Sequence, residues 1–232
     1  MPASLSSTQA RLRVISLFEE LGDADLSAIA ANCTTRTYEK GAQIFGDKDS
    51  STDVFFILDG VVRANTISPE GREVIYSEIG TGAIFGEFSA VDGLPRSTAV
   101  FAVTDCTVAK MTSRKFFELL RANGAVSARL VELLVAKIRA MSERVFEVSA
   151  LSVRERLRRE LLRLATDGRR QGKMIVIKPA PTHYEIAARI GSHREAVTRE
   201  FNRLETEALL EVSRRQISIL DVEKLRRPDG GG

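Results

Sequence analysis

The chain has 232 residues, of which 44% are hydrophobic and 28% charged, as in a globular protein of one large or two modest domains. No apolar run approaches the ~18 residues that a membrane-spanning helix needs, and the two cysteines, Cys33 and Cys106, have neither the spacing of a metal site nor that of a disulfide framework. The first residues lack the charged and apolar regions of a secretion signal, so we expect a cytoplasmic protein with no membrane segment.

Charge is distributed unevenly along the chain. Residues 1–128 carry 12 Lys and Arg against 16 Asp and Glu, whereas residues 129–232 carry 22 against 15. A basic half joined to an acidic half predicts nucleic-acid binding at the C-terminal end. On charge alone, an uneven solvated surface explains the pattern equally well.

The N-terminal half begins with a predicted helix and continues as strands. Apolar residues recur every three or four positions over residues 8–32, with a break at Gly22-Asp23. Short apolar segments then alternate with turn signals, and we predict strands over Val54–Leu58, Val61–Ile67, Val74–Ile79 and Val100–Met111. Short strands at this spacing predict an antiparallel sandwich or barrel.

Three helical segments follow the strands. Ser113 is the predicted cap of a short helix that ends at Ala122, and the third helix is predicted over Val153–Ala165. Between them, apolar residues are spaced 3, 4, 3, 4 and 3 apart, at Val131, Leu134, Ile138, Met141, Val145 and Val148. This spacing is that of a coiled-coil seam. The residues at the a positions of its heptads are β-branched, which favours a pair of parallel helices, so we predict a homodimer. The alternative is a helix packed on its own domain, and Leu130 and Leu133 indicate that its first turns do pack there.

The C-terminal segment has the pattern of a winged helix-turn-helix. Thr182, with Glu185 three residues later, predicts a capping box for a helix that stops at Gly191. Ser192 and Glu195 predict the same start for a second helix, and two short helices joined at a glycine are typical of the motif. Around them we predict a loop over Thr166–Gly172, a strand over Met174–Ile177 and a wing formed by Leu209–Val212 and Gln216–Leu220.

The stretch from Ile84 to Val100 combines groups suited to a sugar-phosphate. Gly86 allows backbone amides to approach an anion closely. Arg96 offers a planar fork for phosphate oxygens, and Ser97 offers one more donor. Glu87 is an acceptor, which a ribose hydroxyl needs and a phosphate does not. The stretch therefore predicts a nucleotide site, the alternative being an ordinary surface hairpin with a salt bridge.

Two motifs resemble the cyclic-AMP receptor protein (Crp/Fnr) family of bacterial transcription regulators. Residues 85–87 and 95–100, Phe-Gly-Glu and Pro-Arg-Ser-Thr-Ala-Val, are similar to the phosphate-binding cassette of cyclic-nucleotide-binding domains, with Thr98 where the family usually has Ala. Residues 191–199, Gly-Ser-His-Arg-Glu-Ala-Val-Thr-Arg, resemble the family's recognition-helix signature, with Ala196 in place of Thr. The resemblance extends over residues 15–222.

The resemblance implies an α+β fold in three parts. These are a cyclic-nucleotide-binding β-roll (a jelly-roll) over residues 1–125, a dimerisation helix over 126–152 and a winged helix-turn-helix over 153–232. It implies a cyclic-nucleotide-dependent regulator that binds double-stranded DNA as a homodimer, at a two-fold symmetric site. Cyclic AMP is the first effector expected and cyclic GMP the second. A regulator with a different effector, or with none, is the main alternative.

The resemblance also assigns site residues. For the effector they are Gly86, Glu87, Phe88, Arg96, Ser97, Met141 and Ser142. Glu87 is expected at the ribose hydroxyl, and Arg96 and Ser97 at the cyclic phosphate. Met141-Ser142 aligns with a Thr-Ser pair that bonds the adenine amino group in relatives. For DNA they are Thr182, Arg194, Glu195, Thr198 and Arg199, with Thr182 at a phosphate and Arg194, Glu195 and Arg199 as base readers.

Other functions fit the sequence less well. Iron–sulfur members of the family need about four cysteines, and haem-sensing members use a histidine in the sensor half, whereas His183 and His193 lie in the other half. We therefore expect no metal, haem or iron–sulfur cluster. Without a Ser/His/Asp set or a metal cluster we do not expect an enzyme, and residues 182–220 argue against a cyclic-nucleotide module of a kinase or channel. RNA polymerase is an expected partner, through the loop at 166–173.

Overall fold

The protein, seen here in a computed structural model, is described over residues 7–166 and 168–226. Its contacts divide it into two units, Met1–Ile138 and Arg139–Gly232. The first unit contains α1 (Ser7–Leu12), α2 (Asp23–Ala31), β1 (Thr34–Tyr38), β2 (Gln43–Phe45), β3 (Val54–Asp59), β4 (Val61–Ile67), β5 (Glu73–Gly80), β6 (Ile84–Phe85), α3 (Glu87–Asp92), β7 (Ala99–Ala102), β8 (Cys106–Met111), α4 (Ser113–Ala122) and the start of α5 (Gly124–Ala150). The second contains the end of α5, α6 (Val153–Thr166), β9 (Arg169–Gln171), β10 (Met174–Ile177), α7 (His183–Ile190), α8 (Arg194–Thr206), β11 (Leu210–Ser213), β12 (Gln216–Ile219) and α9 (Val222–Arg226).

The first unit is a roll of two antiparallel sheets, which confirms the predicted sandwich. The sheets have the strand orders β1-β8-β3-β6 and β2-β7-β4-β5. The segment from Gly86 to Thr98 connects β6 in the first sheet to β7 in the second, so the predicted nucleotide cassette is a crossover between the sheets.

Strand β3 is buried on both faces, which explains its unbroken apolar sequence. Phe55 and Ile57 face a core between the sheets, whereas Val54, Phe56 and Leu58 face a second core. The second core is completed by helical residues, among them Phe18, Phe116, Val126 and Leu130. The first turns of α5 therefore pack on the roll, as Leu130 and Leu133 indicated.

Three local predictions in this unit were wrong. Residues 100–111 are not one strand, because β7 and β8 belong to different sheets and the chain must turn between them. The helix predicted from residue 8 ends at Leu12, and a 3-10 turn follows at Ser16–Phe18 because the Ser16 amide donates to the Gly82 carbonyl at 2.8 Å. The cap of α4 is Thr112, whose hydroxyl accepts from the Lys115 amide, rather than Ser113.

The second unit packs its helices on one four-stranded sheet, with the order β11-β12-β10-β9. Its core includes Leu157, Leu161, Ile186, Phe201 and Ile217. The predicted capping box at Thr182 and Glu185 is present at the start of α7, and β11 and β12 pair as the predicted wing.

Two predictions in this unit were wrong. The segment assigned to a loop over 166–172 contains β9, which pairs with β10 as a hairpin. The N-cap of α8 is His193, with no side-chain cap, and not Ser192. The Ser192 amide donates to the Ala187 carbonyl at 3.0 Å, so this residue belongs to the end of α7.

Helix α5 is 27 residues long. Neither α5 nor another helix within residues 7–166 and 168–226 is apolar enough over a sufficient length to cross a membrane.

Candidate functional site

The cassette begins at Gly86, a position that only glycine can occupy. Its φ is +78°, in the left-handed region that side chains avoid. A Cβ there would lie 2.8 Å from Nη1 of Arg96 and 2.9 Å from the carbonyl oxygen of Asp53. Glycine is therefore required both by the backbone and by the close approach of Arg96.

Arg96 is 2% exposed, although it is charged. Its guanidinium donates to the carbonyls of Asp53 (2.7 Å) and Gly86 (2.9 Å) and to the Ser51 hydroxyl (3.2 Å). It also lies over the Phe45 ring, 4.2 Å from the centroid. Burial lowers the pKa of Arg96, whereas Asp53, Asp49 and Glu87 act in the opposite direction. The side chain is thus fixed in place by neutral acceptors, and two of its five N–H groups have no partner among the described residues.

The loop between β2 and β3 holds the backbone of Arg96 as well as its side chain. The Lys48 amide donates to the Arg96 carbonyl at 2.9 Å, and the Arg96 amide donates to the Asp49 carbonyl at 2.8 Å. This loop was not recognised from the sequence as part of the site. No motif marks it, because most of its bonds to Arg96 come from the main chain.

Glu87 follows Gly86 and is 3% exposed. Its Oε1 accepts a hydrogen bond of 2.6 Å from Nζ of Lys137 on α5, and the same ammonium donates to the Ile84 carbonyl at 3.3 Å. Nζ of Lys137 also lies 5.8 Å from the centroid of the Phe88 ring. Sequence reasoning missed Lys137, because the spacing of α5 identified only its apolar seam.

The structure brings some predicted effector residues together and leaves others apart. Gly86, Glu87 and Arg96 share one buried cluster, in which the Gly86 carbonyl accepts from Arg96 and the charge of Glu87 acts on the same guanidinium. Phe88 is 41% exposed, and Ser97 is exposed on the surface. Met141 and Ser142 belong to the second unit, where both are exposed on α5, so their part in the effector site stays a prediction.

One side of α5 is an exposed apolar stripe. The exposed fractions are 58% for Val131, 62% for Ile138, 53% for Met141, 66% for Val145 and 48% for Val148. These are five of the six predicted seam residues, and the sixth, Leu134, packs against the core of the roll. Apolar side chains exposed in a row at this spacing are typical of a helix that pairs with another.

The predicted base readers lie at the start of α8. Arg194, Glu195 and Arg199 are all exposed, and within the described residues none of them forms an ion pair. The Thr182 hydroxyl is engaged in the capping box with Glu185.

The hydroxyl of Thr198 is used within the helix pair. It donates to the Arg194 carbonyl at 2.9 Å, so it has no second hydrogen to give. The bond of 3.0 Å between Nδ1 of His183 and Thr198 therefore has Nδ1–H as its donor. The His183 ring also stacks on Phe201, with centroids 4.4 Å apart. Thr198 thus ties the recognition helix to α7 rather than presenting a free hydroxyl donor.

The described residues contain no group of three His, Cys, Asp or Glu side chains placed to hold a metal ion.

The sequence matches two family descriptions that together span most of the chain. Residues 35–123 match the cyclic nucleotide-binding domain, and residues 155–228 match the Crp-like helix-turn-helix domain. The chain is 26% identical to a cAMP-activated global transcriptional regulator CRP from Haemophilus influenzae, over 81% of this chain and 84% of that protein.

Solved structures share the fold. A CooA mutant from Carboxydothermus hydrogenoformans has a TM-score of 0.76 at 21% identity, covering 92% of this chain and 94% of that one. The c-di-GMP responsive global regulator CLP from Xanthomonas campestris has a TM-score of 0.75 at 17% identity, and the match covers 85% of this chain and 99% of that one. Since a cyclic nucleotide-binding domain is followed by a Crp-like helix-turn-helix domain and the two matches span most of the chain, the chain belongs to the Crp/Fnr family of transcription regulators.

Proposed function

We propose that this protein is a cyclic-nucleotide-dependent, sequence-specific DNA-binding regulator that acts as a homodimer, with cyclic AMP as its preferred effector and cyclic GMP as the second. The observation that carries the proposal is that Glu87 and Arg96 are both buried in one cassette. A buried carboxylate and a buried guanidinium at the two ends of a short loop suit a ligand that offers hydroxyls and an anion together.

The effector would bind at the surface of this cluster. Arg96 has two N–H groups left for a phosphate, and Ser97 is exposed beside it. Glu87 would accept from the ribose hydroxyl, and to do so it would share its carboxylate with Lys137. We add Lys137 to the predicted effector residues for this reason. Gly86 keeps the backbone close to the ligand, and Phe88 supplies an apolar wall.

Homodimer formation would pair the apolar stripe of α5 with that of a second copy. Replacing Ile138 by Glu puts a charge into the centre of this contact, so we expect the dimer to dissociate. Burying one such side chain contributes roughly 1.5–3 kcal/mol, and a dimer contains two of them. Light scattering after size exclusion measures the change, and Ala136→Glu, exposed on the same helix but outside the seam, is the matched control.

DNA would be read by α8 in the major groove, with half-site centres roughly 10 base pairs apart. Arg194 and Arg199 would bond guanine, and Glu195 would accept from cytosine. Thr182 would contact a phosphate by turning the hydroxyl hydrogen that it now donates to Glu185 toward the DNA. Arg194→Ala should cost about 1–3 kcal/mol and relax preference at one base pair of each half-site. Arg203→Ala, on the last turn of the same helix, is the control, because it should leave base preference unchanged.

Isothermal titration calorimetry with cyclic AMP and cyclic GMP tests the effector. Wild type should bind at least one of them, and Arg96→Lys should bind far more weakly, because an ammonium cannot replace a planar fork. If neither nucleotide binds to folded wild type, the effector assignment is wrong.

A regulator with a different effector is the second candidate. Three N–H groups of Arg96 are already bonded to protein acceptors, which also suits an arginine that only holds the roll together. A neighbour of the same fold is described as c-di-GMP responsive, so cyclic di-GMP belongs in the same titration series. Binding of cyclic di-GMP alone would favour this candidate.

We keep the three-part division of the chain, at residues 1–125, 126–152 and 153–232, as part of the proposal, with a cytoplasmic location. RNA polymerase is the proposed protein partner, through the exposed β9–β10 hairpin.

A further inference from the structure

Two buried carboxylates in the second unit are surrounded by arginines. Glu147 is 3% exposed and Glu160 is 4% exposed. We name them, with Arg144, Arg159, Arg163 and Arg189, the hinge cluster. Burial raises the pKa of Glu147, but hydrogen bonds and charge from Arg163 and Arg144 outweigh it, so its pKa is lowered and the carboxylate is ionised.

The hinge cluster connects three helices. Glu147 lies on the last turns of α5 and accepts from Arg163 of α6, and Arg159 of α6 is 3.5 Å away. Glu160 of α6 accepts from Arg163 at 2.7 Å and lies 3.5 Å from Arg189, which is on the last turn of α7. A series of ion pairs therefore connects α5 through α6 to α7, the first helix of the helix-turn-helix.

The turn between the two helices of that motif is held at the same place. Nη1 of Arg156 on α6 donates to the Gly191 carbonyl at 3.0 Å, and Cγ2 of Val148 on α5 lies 3.5 Å from the position that a Cβ of Gly191 would occupy. Helix α8 begins at Arg194, directly after this turn. The hinge cluster joins α5, α6 and α7, and Arg156 joins α6 to the turn, so together they fix the position of the recognition helix relative to the end of α5.

Such a cluster fixes geometry more than it adds stability. Removing ions from water is costly, and a buried ion pair roughly balances that cost, but breaking one leaves an uncompensated charge. The arrangement with every charge paired is therefore favoured over arrangements in which α7 shifts against α5. In a dimer built on α5, this would also fix the distance and rotation between two recognition helices.

We propose that Glu147 is a positioning residue for DNA binding, which holds the recognition helix through the hinge cluster and thereby sets the half-site spacing that the dimer accepts. The proposal rests on the proposed function, because it assumes a homodimer that reads two half-sites. One inserted base pair rotates a half-site by about 35° relative to the other, so a rigid dimer should reject it.

The test compares the preferred half-site spacing of three proteins, each with all 232 residues. Wild type first selects its site from a random duplex library in the presence of cyclic AMP. Duplexes with one or two base pairs added or removed at the centre of that site are then titrated by fluorescence anisotropy into wild type, Glu147→Gln and Glu143→Gln. Glu143 is exposed one turn earlier on α5 and is the matched control.

We expect wild type and Glu143→Gln to lose about tenfold or more in affinity when one base pair is inserted, comparable to a mismatched base pair. Glu147→Gln should bind the best site more weakly than wild type does. When one base pair is inserted it should lose less than about threefold in affinity, because its recognition helices are less constrained. A merely destabilised protein would lose affinity at every spacing and keep the preference.

Arg163→Gln keeps the test decisive if Glu147→Gln does not fold. The Arg163 side chain is 45% exposed, so removing its charge should destabilise the protein less than removing that of Glu147. It nevertheless contacts both Glu147 and Glu160. Relaxed spacing in folded Glu147→Gln supports the proposal, and a wild-type spacing preference in that variant overturns it. If Glu147→Gln does not fold, the same two outcomes are scored on Arg163→Gln. If wild type selects no duplex with two half-sites, the proposed function itself fails and the inference falls with it.

Discussion

The Lys137 ammonium donates a hydrogen bond of 2.6 Å to Oε1 of Glu87, so a residue of α5 neutralises the buried carboxylate of the cassette. The Glu87 side chain is 4% exposed and that of Lys137 is 35% exposed. Through this one bond, the loop expected to hold the nucleotide is connected to the helix expected to form the dimer.

A double-mutant cycle on this pair should reveal energetic coupling. Glu87→Gln and Lys137→Met should each destabilise the first unit, because each leaves the other charge without its partner. The double variant should recover part of the loss, with a coupling free energy of about 1 kcal/mol, moderated by the exposure of Lys137. Urea unfolding measures it. The Lys115–Glu118 pair on α4, whose side chains are 37% and 52% exposed, is the control. A cassette coupling no larger than the control would contradict the prediction.

Gly86→Ala should be more damaging than Gly93→Ala, although both glycines lie in the same cassette with similar backbone angles. Their φ values are +78° and +72°, so each substitution carries the same left-handed strain of roughly 1–2 kcal/mol. Only at Gly86 would a Cβ meet Arg96 and the Asp53 carbonyl, which adds about 1–3 kcal/mol of overpacking. Urea unfolding of both variants isolates this second contribution. Equal losses would mean that the close packing of Arg96 does not matter.

His183 should make the stability of the second unit depend on pH. Burial lowers the pKa of His183, and the nearby Arg194 lowers it further, while Glu205 opposes them. The unfolded chain therefore takes up a proton first as the pH falls, so the contribution of His183 is complete above about pH 7 and is lost as the pH falls through the unfolded pKa, near 6.5, toward the folded one. Thermal melts between pH 7.5 and roughly 5 should drop more steeply for wild type than for His183→Asn. His193→Asn, with an exposed side chain, is the control, and a parallel drop in wild type and His183→Asn would refute the assignment.

Met141→Thr should shift effector preference toward cyclic AMP. If Met141-Ser142 faces the base, as the family resemblance implies, the substitution adds one hydrogen bond for the adenine amino group, worth roughly 0.5–1.5 kcal/mol. Wild type should discriminate weakly between cyclic AMP and cyclic GMP, because a flexible thioether rejects neither base strongly. Calorimetry with both nucleotides on both proteins measures the change. A wild type that ignores cyclic GMP would show that selectivity arises elsewhere.

Local signals predicted much of the fold because they act within a few residues. The capping box at Thr182 and Glu185 and the strand Val61–Ile67 were placed correctly, since a cap and a turn each depend on the adjacent chain. Local signals also misplaced two caps by one residue, at Ser113 and Ser192, but the largest error arose where a distant contact decided the structure. The chain leaves the first helix after Leu12 because Ser16 bonds to Gly82, and no local pattern contains that information.

The candidate site shows the same limit. The cassette motif identified Gly86, Glu87 and Arg96, which lie close together, but not the residues that hold them. Lys137 is distant in sequence from Glu87, and the hydrogen bond that Asp53 accepts from Arg96 goes to its main-chain carbonyl, which any residue could supply. Charge and motif locate a site in a sequence, whereas main-chain acceptors and helix partners become visible only once the chain is folded.

The cassette and the loop from β2 to β3 both cross between the two sheets of the roll. The two crossings are bonded to each other through Lys48, Asp49 and Arg96. The two loops therefore have to be exchanged together. A cassette grafted from another regulator would need its own β2–β3 loop with it, because a change of length in either crossing moves the acceptors on which the arginine depends.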